Sequence, residues 1–439
     1  MTAASVPTKN VPIKNVPIRN VSTKDVPTKS VSTVMPTAEQ HGIKEHSDGR
    51  FGFVPVQTRS DRFKSVQVQD FAAVTGREAV WKHSPVKKFV DLTAGEVDGS
   101  AYDVESTPVA GVDIEWVDRS DARIGLAGIP EERASANAWT SFEKALAITI
   151  SGEEDKEITL TRVNLGSVPR GAHTIIEAKP FSRATLILQN TNEARLSENI
   201  EIILGESANL TVVSVQEWNN EAVHLANHFA TVGRDARLKH VVVSLGGAIV
   251  RVNPSVRLAG SGSDAELLGL YFADAGQHLE QQVFVHHDAP HSRSRVTYKG
   301  ALQGQGARTV WIGDVLIGRN AAGTDSYEQN RNLVLTEGTH ADSVPNLEIE
   351  TGDIMGAGHA SATGRFDDEQ LFYLQSRGIT DEEARRLVVR GFLTEIIQQI
   401  GSKPLQERLL ETIEAELRQP DGGPAKPVPV PVDEIQLVV

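Results

Sequence analysis

The residues best suited to chemistry lie in one stretch, Gly352 to Arg390: GDIMGAGHASATGRFDDEQLFYLQSRGITDEEARRLVVR. It reads as a loop of glycine and other small residues carrying one histidine, His359, followed by two capped helices. Glycine lets backbone approach a partner closely because no side chain keeps it away. Imidazole is a metal ligand as well as a hydrogen-bonding group. Two further histidine groups are candidates, the pair in His224-Leu-Ala-Asn-His228 and the cluster His286, His287, Asp288, His291. The first has Leu225 where a zinc protease needs glutamate. The second reads as solvated histidines on a proline-bearing loop. Glu348, Glu350 and Asp353 alternate along NLEIETGD, which puts Glu348 and Glu350 on one strand face and would suit glycosidase-type chemistry. No Gly-x-x-x-x-Gly-Lys-[Ser/Thr] occurs, and GAGHASATG has the wrong spacing for a dinucleotide fingerprint.

Composition narrows the field. The chain has 439 residues and no cysteine, so it makes no disulfide, thiolate nucleophile or thiolate metal site by itself. A chain with one soft ligand beside a docking surface, and no thiol, suits a site shared with another protein. The net charge of −14 argues against a general nucleic-acid binder, which needs a basic face. No run of ~20 apolar residues and no secretory signal is visible, which predicts a cytoplasmic protein.

Around the candidates the chain is modular. Residues 5–32 repeat with period five (VPTKN VPIKN VPIRN), matching neither helix nor strand, and read as a disordered basic arm over 1–48. Beyond residue 32 the balance is 39 basic against 57 acidic residues, so the folded body is the more acidic part. Residues 49–150 read as a mixed, partly helical domain, with GREAVWKHSPVKKF a short helix ending near Pro85. From 151 to 366 the signature Gly-x-x-Ala-x-Leu recurs at Gly205, Gly233 and Gly262, with degenerate copies at Gly304 and Gly338, between β-rich runs. The glycine predicts a tight turn, the alanine a place where coils stack, and the leucine a core position. Repetition on this scale predicts a β-solenoid, since the turns of a sandwich recur every ~8–12 residues.

Residues 367–419 switch to helical spacing. Asp367 with Gln370, and Thr380 with Glu383, are capping boxes, and Gly378 is a C′ residue. Leu387, Val388, Phe392, Ile396, Ile397 and Ile400 form an apolar stripe that serves the core or a partner. Gly401 ends this helix. Pro404 opens the next, carrying Leu405, Leu409, Ile413 and Leu417. Residues 420–439 form a proline-rich tail.

The segment from SRSRVTYKGALQGQGARTVWIGD through NLEIETGDIMGAGHASATGRFDDEQLFYLQSRGI, with VRVNPSV and GLYFADAGQHLE before it, resembles the SufB/SufD family of iron–sulfur cluster assembly proteins over residues 160–415. The missing cysteine and the histidine in GHAS make it look like the SufD branch. The resemblance implies a mainly β chain, with a right-handed parallel β-helix core between an N-terminal mixed part and a C-terminal α-helical domain. It implies a non-catalytic scaffold in complex with a SufB-like paralogue and a SufC-like ABC ATPase. SufC would dock on the C-terminal helices, for which Leu387, Val388, Phe392 and Ile396 are the candidates. It also implies that His359 helps hold a nascent iron–sulfur cluster at the SufB interface. Such clusters are normally held by thiolates with occasional histidine, so this chain would not hold one alone. The rival reading is a β-helix enzyme acting on polysaccharides through Glu348 and Glu350. Its expected aromatic face is not suggested by five Trp and five Tyr scattered along the chain.

Overall fold

The computed structural model describes residues 62–365, 368–418 and 436–438; the pentapeptide arm, Asp367 and residues 420–432 lie outside them. The strands are β1 (Val104–Ser106), β2 (Val112–Asp118), β3 (Lys144–Ile150), β4 (Asp155–Arg162), β5 (Gly166–Ala178), β6 (Arg183–Asn192), β7 (Ala194–Leu204), β8 (Asn209–Trp218), β9 (Val223–Val232) and β10 (Arg237–Ser244). They continue as β11 (Ile249–Leu258), β12 (Asp264–Ala273), β13 (His278–His287), β14 (Arg293–Leu302), β15 (Arg308–Ile317), β16 (Thr324–Val334), β17 (His340–Ile349), β18 (Ile354–Arg365) and β19 (Gln436–Val438). The helices are α1 (Val90–Ala94), α2 (Arg133–Ser141), α3 (Asp368–Ser376), α4 (Asp381–Ile397) and α5 (Lys403–Leu417).

From β3 onward the strands alternate between two sheets. One runs β18-β16-β14-β12-β10-β8-β6-β4 and the other β17-β15-β13-β11-β9-β7-β5-β3. All neighbours in these runs are parallel, which makes a β-solenoid of about eight turns. A coil advances 26 to 32 residues, as from Arg183 to Asn209 and from Arg293 to Asp325. Antiparallel β1 and β2 pair with β4 and β3 at the N-terminal end.

The turn signature does what its residue types suggest. Ala208, Ala236, Leu210 and Leu238 are buried. A Cβ on Gly205 would lie 2.7 Å from the Pro180 nitrogen, and one on Gly233 2.7 Å from the Leu204 carbonyl oxygen. Close approach of the stacked coil therefore requires glycine there. Left-handed residues follow two positions on, at Ser207 (φ 57°) and Asp235 (φ 55°), stacked on Gly262 (φ 73°). Their amides bond up the stack, Ser207 to the Arg234 carbonyl and Asp235 to the Ser261 carbonyl. The third copy is offset by two residues: Ala265, not Leu267, is in register with Leu238, and Gly260 is the true turn glycine. The copies at Gly304 and Gly338 mark the opposite edge of the solenoid, before β15 and β17, which explains the 42-residue jump from Gly262.

The strands are nearly continuously apolar because both sheets are covered outside as well as inside. Outside the β8–β14 sheet, Val213, Val241, Leu268 and Phe272 pack on Val389, Leu393, Ile396 and Ile397 of α4 and Leu405, Leu409 and Ile413 of α5. Outside the other sheet, Trp81, Phe89, Leu92 and Ala134 cover Val223, Leu225 and Ile249. The predicted helix before Pro85 is instead two 3-10 turns, Ala79–Trp81 and Val86–Lys88. Trp81 turns inward, where the Arg251 guanidinium lies 4.1 Å from its ring centroid. Thr380 caps α4 by accepting from the Glu383 amide (3.2 Å), and Gly378 adopts φ 87°. Glu383 pairs with Arg386 rather than closing the box.

Polar groups inside the solenoid form paired networks, as burial demands. Arg162 donates to both oxygens of Glu198 (2.8 and 2.6 Å), and Glu198 also bonds His224 (2.7 Å). His228 bonds His240 (2.8 Å), and His287 lies between Ser292 and Ser294 (2.8 Å each).

Candidate functional site

The histidine groups away from His359 are drawn into packing. His224, His228 and His287 are buried in the networks just described. Asp288 pairs with Arg257, and His291 is the left-handed residue of a turn. Glu350 lies just past β17 and faces Arg319 across 3.8 Å on the exposed surface. Leu347 packs on the core, so its neighbour Glu348 points away from it.

His359 is placed differently. The sequence suggested a loop, but residues 354–365 form strand β18, because the backbone of β16 pairs with them along its length. β18 ends one sheet and β17 ends the other. Among the described residues no further coil covers them, so the last coil presents its inner side chains and a free backbone edge. Ala341, Leu347, Ile354 and Ala357 are only partly buried, while Ile349 and Met355 are exposed at 45% and 80%. The edge carries no charge and no proline from Ile354 to Gly364, the devices that usually blunt a free strand. A Cβ on Gly352, Gly356 or Gly364 would meet nothing within 4 Å. Packing within this chain therefore does not explain those glycines.

Register fixes the neighbours of His359. It pairs with Glu328 of β16, Ser361 pairs with Asn330, and Thr363 with Asn332. Thr324, Ser326, Glu328, Asn330 and Asn332 are the buried, inward set of β16, so His359, Ser361 and Thr363 stand over the mouth of the solenoid. Below them Ser361 Oγ bonds Ser343 Oγ, and Ser343 Oγ donates to Asn330 Oδ1 (2.8 Å each). Asn330 Nδ2 donates to the Tyr271 hydroxyl (2.7 Å). Tyr271 and Tyr298 fit because Gly300 and Gly269 face them, where a Cβ would come within 1.8 and 1.9 Å of the rings.

Glu328 is the exception in this row. It is fully buried, and neither carboxylate oxygen has a hydrogen-bond partner. Burial, reinforced by the charge of Asp314 and only partly offset by the nearby Asn346 backbone amide, which falls short of a hydrogen bond, pushes its pKa up to about 8. Sequence reasoning passed over Glu328. The signal that finds it is one coil length, since 31 residues separate it from His359.

The four docking candidates divide. Leu387 is 44% exposed, Val388 and Phe392 are half-buried, and Ile396 is fully buried against the sheet. The buried stripe of α4 runs through Val389, Leu393, Ile396 and Ile397 and on to Ile400; it matches the sequence stripe at Ile396, Ile397 and Ile400 and lies one position on from Val388 and Phe392. Its outward face presents Leu387, Arg390, Gly391, Thr394, Glu395 and Gln398 around a shallow hollow. Phe372 and Tyr373 of α3 are also exposed. Among the described residues no group of three or more His, Asp or Glu could hold a metal ion, so His359 stands without a full ligand set from its own chain.

Residues 163–392 match the SUF system FeS cluster assembly, SufBD core domain. An iron–sulfur cluster assembly SufBD family protein of Mycobacterium leprae is 47% identical over 366 residues, 81% of this chain and 93% of that protein. The chain belongs to the SufBD family. In Mycobacterium bovis one SufBD family protein is 46% identical (82% of this chain, 93% of that protein), and a second is 29% identical over 48% of this chain and 25% of its own length. The Escherichia coli iron–sulfur cluster assembly protein SufD is 25% identical over 77% of this chain and 88% of its own. No helix among the described residues is long and apolar enough to cross a membrane.

Proposed function

We propose that the chain is a SufD-like, non-catalytic scaffold subunit of a cytoplasmic SufB–SufC–SufD complex that assembles iron–sulfur clusters. The observation that carries this reading is the open terminal coil, where an uncharged, glycine-rich edge strand carries His359. An edge of that kind accepts a strand from a second chain by backbone pairing. A second, more distant SufBD protein in the same organism as a close relative supports a paralogue as that chain. His359 then brings one imidazole to a nascent cluster, as substrate, whose thiolates come from the cysteine-bearing paralogue. The ATPase partner, which this chain without a P-loop needs for nucleotide work, docks on the outward face of α4 around Leu387. ATP binding there shifts the helical region and with it the terminal coil.

Replacing His359 by alanine tests the ligand role. The residue is exposed and carries no packing, so the variant complex is expected to assemble normally. Reconstituted cluster formation, followed by visible absorption under anaerobic conditions, should fall about tenfold or more, as for loss of a metal-site group. Unchanged cluster formation would remove His359 from the site.

A further inference from the structure

We propose that Glu328 is the carboxylate that seats the His359 imidazole when that imidazole takes up a ferrous ion. The proposal rests on the reading of His359 given above and adds a residue to it.

Three independent features of Glu328 lead here. The first is register: Glu328 and His359 are cross-strand partners on the last two strands of one sheet, and both belong to the inward set. Neighbouring strands lie ~4.7–4.9 Å apart, so partners on one face are within reach of two long side chains. The second is burial without return. Its neighbours Ser326, Asn330 and Asn332 are all hydrogen-bonded, whereas Glu328 has no hydrogen bond and no ion pair. A buried unpaired carboxyl lowers stability, so an acid there has no structural benefit to offset its cost. The third is that room is made for it. Gly313 of β15 stands opposite, and a Cβ there would fall 2.3 Å from Glu328 Oε2.

The chemistry that needs such a group is metal ligation by histidine. A ligating imidazole gives one nitrogen to the metal and donates its other N–H to a carboxylate or carbonyl, which fixes the ring and raises its basicity. The acceptor has to stand behind the ring, away from the incoming ion and partner. Glu328 lies behind His359, one strand further into the solenoid. Ser343 and Ser361, the other polar groups nearby, are committed to each other and to Asn330. Mixed nitrogen and oxygen chemistry suits a borderline ion such as ferrous iron. Glu328 is thus a positioning residue, acting through His359.

The test uses the complex of the full chain with its cysteine-bearing paralogue, anaerobic, titrated with ferrous ion, because this chain supplies one imidazole and no full ligand set. The unaltered complex is expected to bind saturably, and the complex with Glu328→Gln to bind about 10- to 100-fold more weakly. His359→Ala should weaken binding at least as much. Glu328→Gln and a second variant, Glu328→Met, should both melt no lower than the unaltered protein, since each removes an unpaired buried acid. Weak binding together with a lowered melting temperature in both variants would mark Glu328 as a structural prop and overturn the proposal. Loss of binding in His359→Ala with full binding in Glu328→Gln would overturn it too, leaving the reading of His359 standing. No saturable binding by the unaltered complex also overturns it. The scaffold reading is then judged separately, by cluster formation in the His359→Ala complex.

Discussion

Replacing Glu198 by alanine is expected to cost about 3–5 kcal/mol of stability, the range for breaking a buried ion pair from one side. Glu198 accepts two hydrogen bonds from Arg162 and a third from His224, and all three groups are essentially inaccessible to water. Burial alone would raise its pKa, but the Arg162 charge and the His224 bond hold it well below the usual carboxylate range. The variant leaves a guanidinium inside the solenoid with only neutral side-chain partners, Asn190 (3.2 Å) and Tyr102. Chemical denaturation at pH 7 checks it, and a loss under ~1 kcal/mol would show that water or repacking relieves the orphaned charge. The same residues locate the strain, since Arg162 of β4 and Glu198 of β7 tie the two sheets together in the first coils.

The second large effect is acid sensitivity, set by histidines rather than by carboxylates alone. Burial lowers the pKa of His240 from 6.5 to about 4. Burial, with the neighbouring His286, lowers that of His287 to about 3. An unfolded histidine takes its proton below pH 6.5, while these two stay neutral in the fold. The unfolded state therefore binds more protons between 6.5 and about 4 or 3, and stability falls as pH falls through that window. Each contributes on the order of 3–5 kcal/mol once pH is below its folded value. Glu328 works in the opposite direction. Its pKa is raised from 4.5 to about 8, so the fold holds the extra proton between those values and stability falls as pH rises. The two trends meet near pH 6.5. Thermal unfolding measured from pH 4 to 9 should peak there, and Glu328→Gln should flatten the alkaline side and steepen the acid side between pH 4.5 and 6.5. A melting temperature that keeps rising from pH 6.5 to 8 would contradict the Glu328 assignment, and one that does not fall from pH 6.5 to 4 the histidine assignment.

What the sequence disclosed follows from which forces are local. The solenoid was legible because each coil repeats the same close approach at a turn, and Gly205 and Gly233 leave a trace at coil spacing. It misled at Gly262, where a second glycine two residues earlier occupies the turn, and at Gly304, where the same residue types mark the opposite edge. The helix stripe was legible at Ile396, Ile397 and Ile400 but misplaced in its first turns: Leu387 and Val388 fit helical spacing as well as Val389 and Leu393 do, and only contact with the sheet chooses between them. GREAVW has helical composition, yet Trp81 gains more from burial beside Phe89 and Arg251 than from another helical turn. His359 stood out by type. Its setting did not, because a run of glycine, alanine and serine reads as a loop until β16 is there to pair with it. Glu328 needed the coil length and the inward face together, and neither is visible before the fold.

The central claim is that the open coil around His359 is completed by a second, cysteine-bearing SufBD chain. It is tested most directly by recovering this protein, tagged at its N-terminus, from its native cytoplasm and identifying by mass what comes with it. A cysteine-bearing paralogue together with an ABC-type ATPase is expected to come with it. A chain recovered alone, under conditions that preserve other complexes, would contradict it.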